Sequence, residues 1–164
     1  MKIEVIRSPK RKKTVSARVI EGVLQVRAPA HLSDVELAPI IDDLKKKLAN
    51  HARKAQLDDK ALERRAQELN RLYFGGQLAW TSIRWVTNQS KRAGSCTPAA
   101  GRIRISHRVA EMPTFVRDYV LVHELAHLLE PNHSARYWEL VGRYPRAERA
   151  RGYLMGVGME PPEE

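Results

Sequence analysis

The chain has one cysteine, no apolar run near the ~18 residues of a membrane span, and no internal repeat. Each absence excludes something. Cys96 has no second cysteine to pair with, so no internal disulfide braces the fold, and a reducing cytoplasm is the expected compartment. The missing apolar run predicts no transmembrane helix. The opening Met1-Lys2-Ile3-Glu4-Val5-Ile6 has no apolar segment of the secretion type. Without repeats, a solenoid is excluded. The one biased tract is a short acidic-proline tail from Glu160 to Glu164. At 164 residues the chain suits one domain with a real core and is short for two.

Charge is plentiful and uneven. Residues 1–55 carry 13 Lys+Arg against 6 Asp+Glu, 56–111 carry 10 against 5, and 112–164 carry 6 against 8. The net +10 therefore resides in the first two thirds. Such a surface attracts nucleic acid or an acidic protein. The runs Lys10 to Lys13 and Lys45 to Lys47 are equally accounted for as a strand end and a solvated helix face.

Patterning predicts an α+β protein. Residues 2–7, 14–20 and 23–28 alternate apolar with polar, and Glu21-Gly22 makes a hairpin turn, so the first 30 residues read as a small antiparallel β element. Ser33 and Glu36 form a capping box that opens a helix to about Arg53, with Pro39 near its first turn. A second helix is expected at 59–73, stopped by Gly75-Gly76. Strands follow at about 78–87 and 101–106, with a Gly/Ser/Pro loop between them. The last helix is expected at about 134–143, capped by Ser134.

One segment carries chemistry: Leu121-Val122-His123-Glu124-Leu125-Ala126-His127-Leu128-Leu129-Glu130-Pro131-Asn132-His133. On a helix, His123 and His127 lie four residues apart on one face and can share a metal. Glu124 can then reach a metal-bound water without being a ligand. Zinc lowers the pKa of that water and the glutamate takes its proton as it attacks a carbonyl. Val116, Val120, Leu121, Leu125, Leu128 and Leu129 recur at helical spacing, Thr114 after Pro113 starts the helix, and Pro131-Asn132 ends it. A turn there brings His133 toward the pair, and three protein ligands with one open position suit a catalytic zinc. Glu139 and Glu148 are rival third ligands.

The segment 123–138, His-Glu-Leu-Ala-His-Leu-Leu-Glu-Pro-Asn-His-Ser-Ala-Arg-Tyr-Trp, resembles the YgjP-like zinc metallopeptidases, relatives of the SprT and minigluzincin zincins. Arg92-Ala93-Gly94-Ser95-Cys96 resembles that family's Arg-Trp-Gly-Ser-Cys segment, with Ala93 in place of tryptophan. Gly101 to Ile105 resembles the strand that follows it, with Ser106-His107 departing from the usual continuation. Lys10 to Ser16 and Val26 to Pro29 resemble its N-terminal hairpin. The resemblance implies a zincin-like fold, a single metallopeptidase domain over 1–164, and a metal-binding catalytic core at 78–145 after a β element (1–30) and a helical segment (33–73). It implies a metalloendopeptidase-type hydrolase with Zn2+ on His123, His127 and His133, Glu124 as general base, and a polypeptide substrate. SprT-like relatives act near DNA, so the alternative is a nucleic-acid-associated protein with a SprT-like or degenerate protease site, binding through the basic N-terminal region.

Around that core the expectations are softer. Residues 102–106 are the natural edge for an extended substrate. Tyr137 and Arg136 are candidates to stabilise an oxyanion. Tyr119 shares the face of His123, Glu130 is placed to orient a histidine, Trp138 reads as core, and His107 and Cys96 stand near the metal or in ordinary packing.

Overall fold

The computed structural model describes residues 2–55 and 57–159. The acidic-proline tail from Glu160 lies outside them. The chain forms two compact units, one ending at Ala52 and one beginning at Arg53.

The first unit holds β1 (Lys2–Ser8), β2 (Ser16–Ile20), β3 (Val23–Pro29) and most of α1 (Asp34–Ala55). β2 and β3 form the expected hairpin, with Ile20 opposite Val23. Both turn residues take positive φ, 49° at Glu21 and 78° at Gly22, which matches the twist of a two-residue hairpin. The element is not purely antiparallel as expected. β1 pairs with β3 in parallel, and the strand order is β1-β3-β2. The tight hairpin places β2 on one edge of β3, so β1 can add only to the other edge, and two reversals of direction leave it parallel. Leu24, Val26 and Ala28 alternate into the interior of central β3. The capping box opens α1 as expected: the Ser33 N–H donates to Glu36 Oε2 at 2.8 Å, and the Glu36 N–H donates to Ser33 Oγ at 3.3 Å.

The second unit begins with α2 (Asp59–Phe74), whose first turn donates to the Asp58 side chain and whose end is closed by Gly75 at φ 63°. A second sheet follows, made of β4 (Ser82–Val86), β5 (Gly94–Thr97) and β6 (Arg102–Ser106) in the order β4-β6-β5. β4 is shorter than expected, and β5 emerges from what reads as a loop. β6 is central: β4 lies parallel on one side and β5 antiparallel on the other. Ile103 and Ile105 of β6 are fully buried.

α3 (Thr114–Ala126) supplies much of this unit's core through Val116, Tyr119, Val120, Leu121 and Leu125. Its expected start at Thr114 holds. Its end comes at Ala126 rather than at Pro131, with His127 as the αR-shaped cap. α2 is tied to α3 by Arg65, which donates to both carboxylate oxygens of buried Asp118 at 2.9 and 2.6 Å. α4 (Ala135–Gly142) starts after Ser134, whose hydroxyl accepts from the Tyr137 N–H. A further helix, α5 (Ala147–Gly156), was not expected from the periodicity. It buries only Ala147, Ala150 and Leu154, too few large apolar residues for a clear stripe. The fold class is α+β, with five α-helices among the described residues.

Candidate functional site

α3 brings His123 and Glu124 into the interior, at 7% and 4% exposure, and sets half-buried His127 one turn further on. The chain then turns through 128–132, and the ring of His133 comes back over the helix end. One nitrogen from each of His123, His127 and His133 falls within 4.8 Å of the others, and among the described residues no other such group of His, Cys, Asp or Glu occurs. The Nε2 atoms of His127 and His133 are 3.1 Å apart. Two nitrogens on one tetrahedral zinc stand about 3.3 Å apart, so this pair fits a shared cation.

The tautomers fit as well. The Nδ1–H of His127 donates to the Glu130 carbonyl at 3.2 Å, which leaves Nε2 with its lone pair. Glu130 thus orients a histidine through its backbone rather than its carboxylate. Burial, then the neighbouring His127 and His133, hold the His123 imidazole well below its ordinary pKa, and burial lowers that of His127, partly opposed by its bond to the Glu130 carbonyl. Both rings are neutral near neutral pH, the state that a metal requires. The buried Nδ1 of His123 has no hydrogen-bond partner. The candidate donor set is three imidazoles.

These residues line a cavity of about 310 Å³ together with Glu124, Tyr119 and the segment from Arg92 to Cys96 that leads into and enters β5. Burial pushes the Glu124 carboxyl up to about 8, against the opposing pull of the Arg92 charge. The same burial, reinforced by Glu124, pushes the Cys96 thiol up to about 12. Cys96 therefore lines the cavity as a small neutral group.

Several expectations fall elsewhere. Glu139 is exposed, and Glu148 is exposed and paired with Arg151 at 3.2 Å. Arg136 is exposed. His107 is half-buried in a short 3-10 turn and does not line the cavity. The strand 102–106 cannot be the open edge, because β6 is paired on both sides; the edge beside the cavity is β5.

Tyr137 is not free to meet an oxyanion. Its fully buried hydroxyl donates to the His123 carbonyl at 3.1 Å, in the last turn of α3 where carbonyls lack helical partners. Its ring stacks on His127 at 4.5 Å and meets His133 and His123 edge-on at 4.8 and 5.3 Å. Trp138 is half-buried rather than core, and stacks on His133 at 5.7 Å. Tyr119 packs 6.0 Å from His123, its buried hydroxyl without a partner. The residue most easily overlooked is Gly94, whose backbone passes against Glu124. In a segment that reads as a Gly/Ser/Pro loop, a glycine gives no signal of this contact, which only the strand pairing reveals.

Residues 77–155 match the family described as YgjP-like, metallopeptidase domain. Among solved structures, the chain is similar to the metallopeptidase zymogen of Pyrococcus abyssi abylysin, at 22% identity and a TM-score of 0.52. The match covers 58% of this chain and 93% of that one. That likeness shows the fold. No curated protein matches the chain.

Proposed function

We propose that this chain, which carries a YgjP-like metallopeptidase domain over residues 77–155, is a zinc metallopeptidase that cleaves peptide bonds with Glu124 as general base. One observation carries the reading: three histidine nitrogens converge within 4.8 Å beside a buried carboxylic residue in a single cavity. His123, His127 and His133 are the residues that would hold the ion. A zinc held there acidifies water and polarises a carbonyl. Glu124 accepts the proton of the attacking water and hands it to the departing nitrogen. Burial makes its carboxyl a poor anion in the metal-free protein. With a cation held on the three histidines, the Glu124 carboxyl would be drawn back toward its ionised, proton-accepting form. β5, an edge strand beside the cavity, offers backbone groups to an extended polypeptide, which favours an internal peptide bond as target. With one cysteine, the chain suits the reducing cytoplasm.

The test is the zinc-to-protein ratio of the purified chain, of His133→Ala and of Glu124→Gln, with hydrolysis of a peptide library measured on each. The expected result is about one zinc in the parent and in Glu124→Gln, far less in His133→Ala, and hydrolysis in the parent alone. Equal zinc in parent and His133→Ala removes His133 from the ligand set. Undiminished turnover in Glu124→Gln removes Glu124 as base.

A second reading, nucleic-acid binding by the N-terminal unit, is favoured by one specific feature. Arg11, Arg18 and Arg27 line a single depression with Ser16 and Gln25 on β2 and β3. The cross-strand partners are Ser16 with Arg27 and Arg18 with Gln25, so two arginines share one face of the sheet with Glu4, which accepts from Gln25, and the cations outnumber the carboxylate there. Salt-dependent binding of an oligonucleotide, lost in the triple glutamine variant of these arginines, is the expected result; binding unchanged in that variant refutes this reading.

A further inference from the structure

Gly94 opens β5 opposite Ile105 of the central strand. Its φ is not positive, unlike that of Gly22, Gly75, Gly76, Gly101 and Gly158, so the backbone there does not require glycine. Space does. A Cβ on Gly94 would stand 2.7 Å from Glu124 Oε1, 2.9 Å from its Cγ and 3.1 Å from its Cδ. Gly142, Gly152 and Gly156, by contrast, have nothing within 4 Å of the same position.

Neither side of this contact can readily yield. Glu124 is 4% exposed on a helix whose neighbouring side chains are all buried. The strand is held on both sides of Gly94: the Ala93 carbonyl accepts from the Ser106 N–H at 2.8 Å, and the Ser95 hydroxyl accepts from the Gln89 side chain at 2.6 Å. Ser106 is itself fully buried and donates to the Gln89 carbonyl.

We propose that Gly94 is the positioning residue for the general base: its bare Cα forms the wall against which the Glu124 carboxylate rests, and so fixes the direction in which that carboxylate faces the three histidines. This rests on the reading of Glu124 as base. It also couples two parts of the site, because the strand that seats the base is the edge strand beside the cavity. Any side chain at position 94 displaces the carboxylate before it touches substrate.

The experiment compares the full chain with Gly94→Ala, in the Glu124 background and in Glu124→Asp and Glu124→Ala backgrounds. Zinc content, kcat, KM and the melting temperature of the metal-free protein are read for each. In the Glu124 background the added methyl group is expected to lower kcat by about 100-fold, with zinc content and KM nearly unchanged. In the Glu124→Asp background the 2.7 Å oxygen contact is relieved while a carbon remains at the Cγ position, so the further loss is smaller than beside Glu124. Gly94→Ala lowers the melting temperature beside Glu124 and not beside Ala at position 124. Losses that are equal in all backgrounds, or a kcat unaffected in the Glu124 background, overturn the proposal. A parent that binds zinc and hydrolyses nothing sinks the peptidase reading instead, and with it the positioning role. The melting comparison then reports only whether Gly94 packs on Glu124.

Discussion

Replacing Tyr137 with phenylalanine removes one oxygen atom and leaves the ring in place. That oxygen donates to the His123 carbonyl at 3.1 Å, and both groups are inside the protein. The variant loses a hydrogen bond worth about 1 kcal/mol and strands a buried carbonyl, for a total of about 2 kcal/mol. In a chain of this size that corresponds to a fall in melting temperature of about 4–8 °C. The ring still stacks on His127 and meets the other two histidines, so zinc stoichiometry should hold. Tyr137→Leu discards the ring as well, and the expected consequence is a further drop in stability and roughly tenfold weaker zinc binding, typical of a group that orients ligands. The assays are thermal unfolding of the metal-free proteins by circular dichroism and zinc competition against a chromogenic chelator. A Tyr137→Phe variant that melts within about 1 °C of the parent refutes the idea that the hydroxyl braces the helix end. Equal zinc affinity in Tyr137→Leu refutes the idea that the ring orders the imidazoles.

Two further outcomes follow from protonation. The Cys96 thiol, pushed up to about 12 by burial and by Glu124, should resist iodoacetamide in the native metal-free protein at about pH 8 and react promptly once unfolded in urea; equal rates in both states would contradict its placement. Glu36 has a pKa below its usual 4.5, held down by its bonds to Ser33. Because the folded value is the lower one, its stabilisation is present above about pH 4.5 and is lost as the pH falls through the folded value. The urea midpoints of wild type and Glu36→Ala should therefore converge on acidification, and a gap that widens would show the sign to be wrong.

What was legible in the sequence was local. The pair His123 and His127 needs only helical spacing, and the capping box at Ser33 and Glu36 only a three-residue step. The Glu21-Gly22 turn likewise declares itself through residues that tolerate positive φ. Pairing partners did not declare themselves. β5 is four residues of Gly, Ser, Cys and Thr, with no apolar alternation to mark it, and it becomes a strand because β6 offers it an edge. Once β5 is in place, β6 is interior, and the free edge expected at 102–106 lies instead at 94–97. α5 was hidden for a similar reason, since alanines fill its buried face.

The same division runs through the site. The spacing of the histidines writes the candidate metal site into α3 and the turn after it, within eleven residues of chain from His123 to His133. The contact proposed to direct the base lies thirty residues earlier, at Gly94, and becomes visible only when a cross-strand register brings that backbone against Glu124. Tyr137 belongs to the second class too. Position 137 sits on α4 with a hydroxyl that sequence alone suggests for an oxyanion, yet packing gives that hydroxyl to a helix carbonyl and its ring to three imidazoles. A donor held in this way has no lone proton left for a substrate. On the peptidase reading proposed above, the oxyanion is left to groups other than Tyr137. Arg92 also lines the cavity, and its charge opposes the burial that raises the Glu124 carboxyl.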